Sequence, residues 1–370
     1  MKKLKQIIIG VFLVLLCSPL IFFNWKKDAV SEIDNRKLTE NPFKRGMPFN
    51  QETIAQAENF LADRVGFRNF MIKEYTVFND KVFHEMVHPS YEYGKNGYVF
   101  FKYGSCQDGK LTDYEITFAK TIRKMQDYCE QRGVPFLFVF NPSKLSICSD
   151  QVADGYNFNR KWVPAFMKEL DTLGVHYIDN SSLLEDKYRS GETVFNVKFN
   201  AGHWNDLGAF YGVNHIAEEI KKSFPDTHVN KKDEYNVEDV LRISLLVSDF
   251  PIHETEPRYT LKKSEKLIYK DQGDLQLNEH YPYFRHVLNP MRNRKSPKIL
   301  CFQGSYMNGM GYKFMENITR EYIAIHDYQN VLELPYYFEK FHPDYVVFET
   351  AEYTFSDKYY SLEKMKSIKW

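Results

Sequence analysis

The chain has 370 residues, long for one compact core and enough for one large or two modest domains. Basic and acidic residues are equal at 49 each, so no overall charge favours a nucleic-acid partner and none is expected. The 26 Tyr and 30 Phe suit a carbohydrate-facing protein and an aromatic-rich core equally, and so exclude neither.

Lys2, Lys3 and Lys5 precede an apolar run from Ile7 to Phe23, which Asn24, Trp25, Lys26 and Lys27 close. The run is near the lower length limit of a membrane span and long for a cleaved signal core, and no small-x-small cleavage site follows it. Cys17 lacks the small residue before it that a lipoprotein signal requires. Residues 1–27 therefore read as an uncleaved, single-pass signal anchor in the cell membrane. The positive-inside rule favours a cytoplasmic N-terminus, although Lys26 and Lys27 flank the other end, and the rest of the chain would then be extracytoplasmic. Cys106, Cys129, Cys148 and Cys301 lie outside the anchor at wide spacings that imply no disulfide framework; buried free thiols fit at least as well. With no CxxC or HExxH, no metal site is signalled, and no cofactor is expected.

Residues 28–93 read as a helical lead-in. A linker carrying Asp34, Asn35, Arg36 and Pro48 precedes a helix over Gln51–Asp63, with Ile54, Ala57, Phe60 and Leu61 on one face, and a second helix reaching about Phe83. The main domain is placed at 94–370. Gly94–Phe101 reads as a turn into a strand, with Asn96-Gly97 supplying positive φ. Asp113–Arg132 is a helix stopped by Gly133, and Phe136–Phe140 an apolar strand covered on both faces. Trp162–Leu173 is a helix stopped by Gly174, with strand Val175–Ile178 after it.

Val194, Phe195, Val197 and Phe199 form an extended run that ends at His203-Trp204-Asn205, and a helical pattern follows to about Phe224. A His on a short loop between strand and helix is well placed for proton transfer; a packed His under a loop is the alternative. Residues 226–296 are polar and weakly periodic, and read as an insertion capping the sheet edge or the cleft. Strand Ile299–Phe302 then runs into Gly304-Ser305, where a nucleophile would sit. Helix Met310–Arg320, strand Tyr322–Ile325, helix Leu332–Phe341 and strand Tyr345–Phe348 complete the chain. This alternation predicts a doubly wound, mostly parallel α/β sheet in three layers. Asn141, His203, Ser305 and Glu349 all fall just past strand ends, where ligands bind in such sheets.

The chain resembles the SGNH-hydrolase-like proteins of cell-surface polysaccharide O-acetylation, the group containing the alginate O-acetylation proteins. The matching elements run in order: Asp34-Asn35-Arg36, Asp63-Arg64 through Arg68, Gly94–Phe101, Pro142-x-Lys144, His203-Trp204-Asn205, Gly304-Ser305-Tyr306, and Pro343-Asp344 through Glu349 and Glu352. His203 precedes Ser305, as in that group and unlike ordinary SGNH esterases. A relative of the proteins that carry D-alanine to teichoic acid is a competing reading.

The resemblance implies a serine triad in which Ser305 attacks an acyl donor and His203 takes and returns the proton. Gly304 and neighbouring N–H groups, with Asn141 as a possible side-chain donor, would bind the oxyanion. Tyr306, Trp204 and Glu349 would line or orient the site. An Asx turn explains Asn141 equally well, and Lys144 is either a ligand for an acidic substrate group or a solvated lysine. The family places an acidic residue two or three positions before the histidine, where this chain has Asn200 and Ala201. Asn200, through its amide oxygen, and Asp206, three residues after the histidine, are the two candidates for the missing acid. The Gly-Asp-Ser motif is altered too, to Gln303-Gly304-Ser305. The expected function is O-acyl, most simply O-acetyl, transfer to a cell-envelope polysaccharide, with a membrane-bound O-acyltransferase passing the acyl group outward. A slow esterase and a non-catalytic glycan-binding or scaffolding subunit are the alternatives.

Overall fold

Alternate side chains of each central strand enter two separate apolar cores, which is why the strands read as unbroken apolar runs. The computed structural model describes residues 2–26, 30–31, 36–43, 50–88, 90–102, 109–156, 158–245 and 250–370. Asp34, Asn35, Pro48, Cys106 and Val247 therefore lie outside the described residues.

The chain divides into two units, residues 1–93 with 242–253, and 94–241 with 254–370. The first opens with helix Lys2–Ile21, whose segment Lys3–Ile21 is long and apolar enough to cross a membrane, at a mean hydropathy of 2.2. Helices Gln51–Arg64 and Arg68–Phe83 follow. The conspicuous Asp63-Arg64 pair is structural. Asp63 accepts from the N–H and hydroxyl of Thr39 at 2.9 and 2.7 Å. Arg64 donates to the carbonyls of Asn24, Lys26 and Thr39, clamping the chain that leaves the first helix.

The second unit is built on a seven-stranded sheet. Its strands, in chain order, are β1 (Phe136–Asn141), β2 (Tyr177–Asp179), β3 (Ile268–Lys270), β4 (Phe284–Leu288), β5 (Lys298–Gln303), β6 (Glu321–His326) and β7 (Tyr345–Ala351). The order across the sheet is β2-β1-β7-β5-β6-β4-β3. The first five in that order are parallel, and β4 and β3 are antiparallel additions beyond β6. Leu137, Val139, Ile299, Cys301, Tyr345 and Val347 face one core with helix Asp206–Lys221. Phe136, Phe138, Phe140, Leu300, Phe302, Val346 and Phe348 face the other, with helices Asp113–Glu130 and Trp162–Leu173. Helices thus cover both faces, the three-layer α/β arrangement expected, with a mixed rather than wholly parallel sheet.

Two expectations change. Residues 226–296 are more than a cap. Their second half supplies β3 and β4, and their first half forms a hairpin of arms Tyr235–Ser244 and Pro251–Leu261. The run Val194–Phe199 is not a strand. It is buried irregular chain whose polar backbone is satisfied by side chains, as any buried segment requires. Glu254 accepts from the N–H groups of Val197, Lys198 and Phe199 at 2.6, 2.9 and 2.6 Å, and Lys144 Nζ donates to Val197 O. Among the described residues the cysteines are free; Cys129, Cys148 and Cys301 are buried within the unit and Cys17 lies on the first helix.

Candidate active site

The segment around His203 is held by its neighbours, leaving His203 half-buried between the buried pairs Ala201-Gly202 and Trp204-Asn205. Trp204 is fully buried and donates from Nε1 to Tyr306 O at 3.0 Å. Its ring needs the room left by Gly212, where a Cβ would come within 2.4 Å of it, and a Cβ on Gly208 would come within 2.5 Å of Val194 O and 2.9 Å of the Trp204 Cβ. Asn205 accepts from the N–H groups of Leu207 and Gly208, capping helix Asp206–Lys221, and donates to Thr193 O and Asn196 Oδ1. Tyr306 lies buried beneath His203, its hydroxyl donating to Pro142 O and Gly202 O at 2.9 and 2.7 Å. Trp204 and Tyr306 are supports, not groups presented to a substrate.

On this platform the structure brings together the residues that the sequence kept a hundred positions apart. His203 Nε2 lies 2.7 Å from Ser305 Oγ, and Nδ1 lies 2.7 Å from Asn200 Oδ1. Ser305 opens the helical segment after β5, followed by a π-helical turn over Met307–Gly311, an irregularity common at functional sites. That turn places Met310 Sδ 3.8 Å from Asn200 Nδ2, an orientation that leaves Oδ1 toward the imidazole. Asn200 has φ of +54°, a left-handed conformation that Asn tolerates better than most side chains. Asn200 is buried, whereas His203 and Ser305 are half-buried and reachable from solvent. Burial lowers the His203 pKa from its ordinary 6.5 to about 4.

Asp206, the other candidate acid, is engaged elsewhere. Its carboxylate accepts from Lys313 Nζ at 2.7 Å and from Tyr259 N at 2.8 Å, because its place in the first turn of the helix turns it toward the hairpin. Lys144 is neither solvated nor a substrate ligand. It is fully buried, with Nζ donating to Val99 O and Val197 O at 2.7 and 2.8 Å, and burial lowers its pKa to about 8. It ties strand Val99–Phe101 to the His203 segment. Replacing it with methionine should leave both carbonyls unpaired and destabilise the fold by about 1–3 kcal/mol, measured by denaturant unfolding.

Asn141 is fully buried, with one amide N–H and its oxygen engaged within the protein. It donates to Glu349 Oε1 at 2.7 Å and accepts from Asn180 Nδ2, whose own Oδ1 pairs with His215 Nδ1. Glu349 Oε2 accepts from Gly304 N at 2.8 Å, so this N–H too is turned into the protein. Burial and the adjacent Asp327 push the Glu349 pKa up to about 8. The altered motif has a physical reason here. A Cβ on Gly304 would lie 3.5 Å from Asp327 Oδ1 and 3.8 Å from Glu349 Oε2, so a carboxylate at 304 would face two others. Glu352 accepts from Ser143 N and Ser146 Oγ and pairs with Arg160, a structural role at the start of the short helix Lys144–Ile147.

One residue was missed. Tyr353 OH lies 2.5 Å from Ser305 Oγ and 3.1 Å from His203 Nε2, closing a triangle with them. Burial raises its pKa well above the usual phenol value, so it remains a donor. It sits in a 3₁₀ turn past the end of β7, where the sequence pattern marks Glu352 instead.

Residues 93–262 match the family model described as "ALGX: SGNH hydrolase-like domain, acetyltransferase AlgX". The match takes in Asn200 and His203 and ends before Ser305. No curated protein matches the chain in sequence. Among solved structures it is similar to Bacillus cereus PatB1, at TM-score 0.56 and 15% identity over 71% of this chain and 96% of that one. A second structure of that protein, "with sulfonyl adduct", gives TM-score 0.55 and 16% identity over 74% and 96%. A DHHW family protein from Eubacterium siraeum gives 0.52 and 14% over 74% and 93%. At these identities the likeness is one of fold. Residues 93–262 thus match an SGNH hydrolase-like domain, and the unit that holds most of them has an SGNH-like α/β fold.

Proposed function

We propose that the chain is a membrane-anchored, extracytoplasmic O-acetyltransferase that acylates a cell-envelope polysaccharide through Ser305. The observation that supports this reading most is the continuous path from Ser305 Oγ through His203 to Asn200, two contacts of 2.7 Å on a rigid platform. Attack of Oγ on the acyl carbonyl passes the hydroxyl proton to Nε2. Nδ1–H is held on Asn200 Oδ1, which fixes the tautomer that leaves Nε2 free to accept. The imidazolium then protonates the leaving group. In the second half-reaction Nε2 takes the proton of a glycan hydroxyl, which attacks the acyl-serine; the bond to Ser305 Oγ then breaks, Oγ takes that proton back from Nε2, and the glycan keeps the acetyl group. Gly304 N is engaged by Glu349, so Tyr353 OH, the N–H of Ser305 in the first helical turn and the second amide N–H of Asn141 are the candidate donors to the forming oxyanion.

Acetyl-CoA is cytoplasmic, so an external site needs a donor relay; a membrane-bound O-acyltransferase handing the acyl group outward fills that place. The apolar helix Lys3–Ile21 supplies the single-pass anchor in this scheme. Full-length protein in detergent, given p-nitrophenyl acetate and a cell-wall oligosaccharide mixture, should yield oligosaccharides heavier by one acetyl group. If acetate is released at full rate and no oligosaccharide is ever modified, the protein is an esterase and the transfer reading fails. Tyr353→Phe removes the hydroxyl that touches Ser305 and His203, so the acylation rate should fall by about 10²-fold in a stopped-flow burst assay.

A further inference from the structure

Helix Arg68–Phe83 carries an exposed apolar stripe that the catalytic reading does not use. Phe67, Met71, Tyr75, Phe78 and Val82 recur at helical spacing and are 45, 59, 58, 55 and 52 % exposed, with Phe70 beside them at 61 %. A run of aromatic and aliphatic side chains this exposed marks an interaction surface. The other side of the helix is spoken for. Thr76 and Asn79 are buried there, Thr76 donating to Ile72 O and Val87 O and Asn79 to Tyr75 O.

The stripe begins where the apolar N-terminal helix ends. The Phe67 ring lies 4.9 Å from Phe22, Gly66 N donates to Pro19 O at 2.8 Å, and Asn24 N donates to Arg64 O at 2.9 Å. A Cβ on Gly66 would lie 2.7 Å from the Phe22 Cβ, so glycine is what permits the approach. The first ring of the stripe is thereby fixed at the last turn of the candidate span, at the depth of a bilayer surface. Arg68 and Lys81 on this helix suit lipid phosphates, and lysine stems extend along apolar surface. Glu74 lies within the arc and works against it.

We propose that helix Arg68–Phe83 lies in the membrane interface, with the Phe67–Val82 stripe in the boundary between headgroups and acyl chains. This rests on reading the first helix as a membrane span. The stripe would give the span a second, in-plane contact and so restrict how the segment leaving the bilayer can swing.

The test uses full-length protein in nanodiscs, with Cys17 and Cys106 replaced by alanine and single nitroxide labels at Val14, Phe70, Phe78 or Lys73. Labels at Phe70 and Phe78 should show an oxygen-to-nickel-chelate accessibility ratio at least about threefold that at Lys73, as expected of an interfacial helix. Ratios equal to that at Lys73 place the stripe in water and overturn the proposal. Labels at Phe70 and Phe78 shielded from both reagents mean that protein covers the stripe, and overturn it equally. Val14 reads the span separately: a water-like ratio there refutes the anchor itself, whereas a lipid-like ratio at Val14 with water-like ratios at Phe70 and Phe78 refutes only the interfacial helix.

Discussion

His203→Ala should lower the rate of Ser305 acylation by p-nitrophenyl acetate by at least about 10³-fold, because a serine hydroxyl without a base is a poor nucleophile. The loss should be similar for Ser305→Ala and not larger for the double variant, since the two act as one unit. The same imidazole sets the pH behaviour. Burial holds its pKa at about 4, so the acid limb of the rate profile should fall near pH 4 and not near 6.5. The sign for stability follows. Between about 4 and 6.5 the unfolded chain binds a proton at this histidine that the folded chain does not, so stability is lost as pH falls through that window. A variant with glutamine at 203 should lose less stability over the same interval, measured by urea unfolding at several pH values.

Asn200→Asp should raise the acylation rate tenfold or more, equivalent to about 1.4 kcal/mol of transition-state stabilisation. Asn200 Oδ1 already accepts from Nδ1 at 2.7 Å, so the change adds charge without moving the contact, and Asp, like Asn, tolerates the left-handed backbone at this position. A carboxylate there favours the imidazolium, so the acid limb should move to higher pH. Asn200→Ala, which removes the acceptor, should slow the reaction. Asp206→Asn tests the other candidate acid: it weakens the contacts to Lys313 and Tyr259 N, and should cost about 1–3 kcal/mol of stability while leaving the pH profile in place. A rate unmoved by either substitution at 200 would mean that the amide does not orient the histidine.

Much of this arrangement could be read from the chain. The strands Phe136–Asn141, Lys298–Gln303 and Tyr345–Ala351 show as apolar runs because both their faces are covered, and helix Trp162–Leu173 announces itself by its spacing and its closing Gly174. His203 and Ser305 stood out because each follows an extended stretch and opens a helical one. Other features were hidden because they depend on contacts between distant segments. Val194–Phe199 has the alternation of a strand, yet Glu254 and Lys144 satisfy its backbone from elsewhere in the chain. Lys144 reads as a surface lysine until two carbonyls are found over it. Asn141 and Glu349 were expected just past strand ends, but they lie within the last residues of their strands, and Glu349 accepts from Asn141 and from Gly304 N below the site. Tyr353 is one of 26 tyrosines, and nothing local separates it from the others.

The acyl-enzyme itself is the most direct object to measure. Full-length protein mixed with p-nitrophenyl acetate, quenched in acid and digested, should show a single new acetyl group on the peptide containing Ser305, absent from the Ser305→Ala protein and strongly delayed in His203→Ala. Acetyl groups confined to lysines or tyrosines, in equal amount in all three proteins, would contradict a serine acyl-enzyme and leave a glycan-binding subunit as the better description.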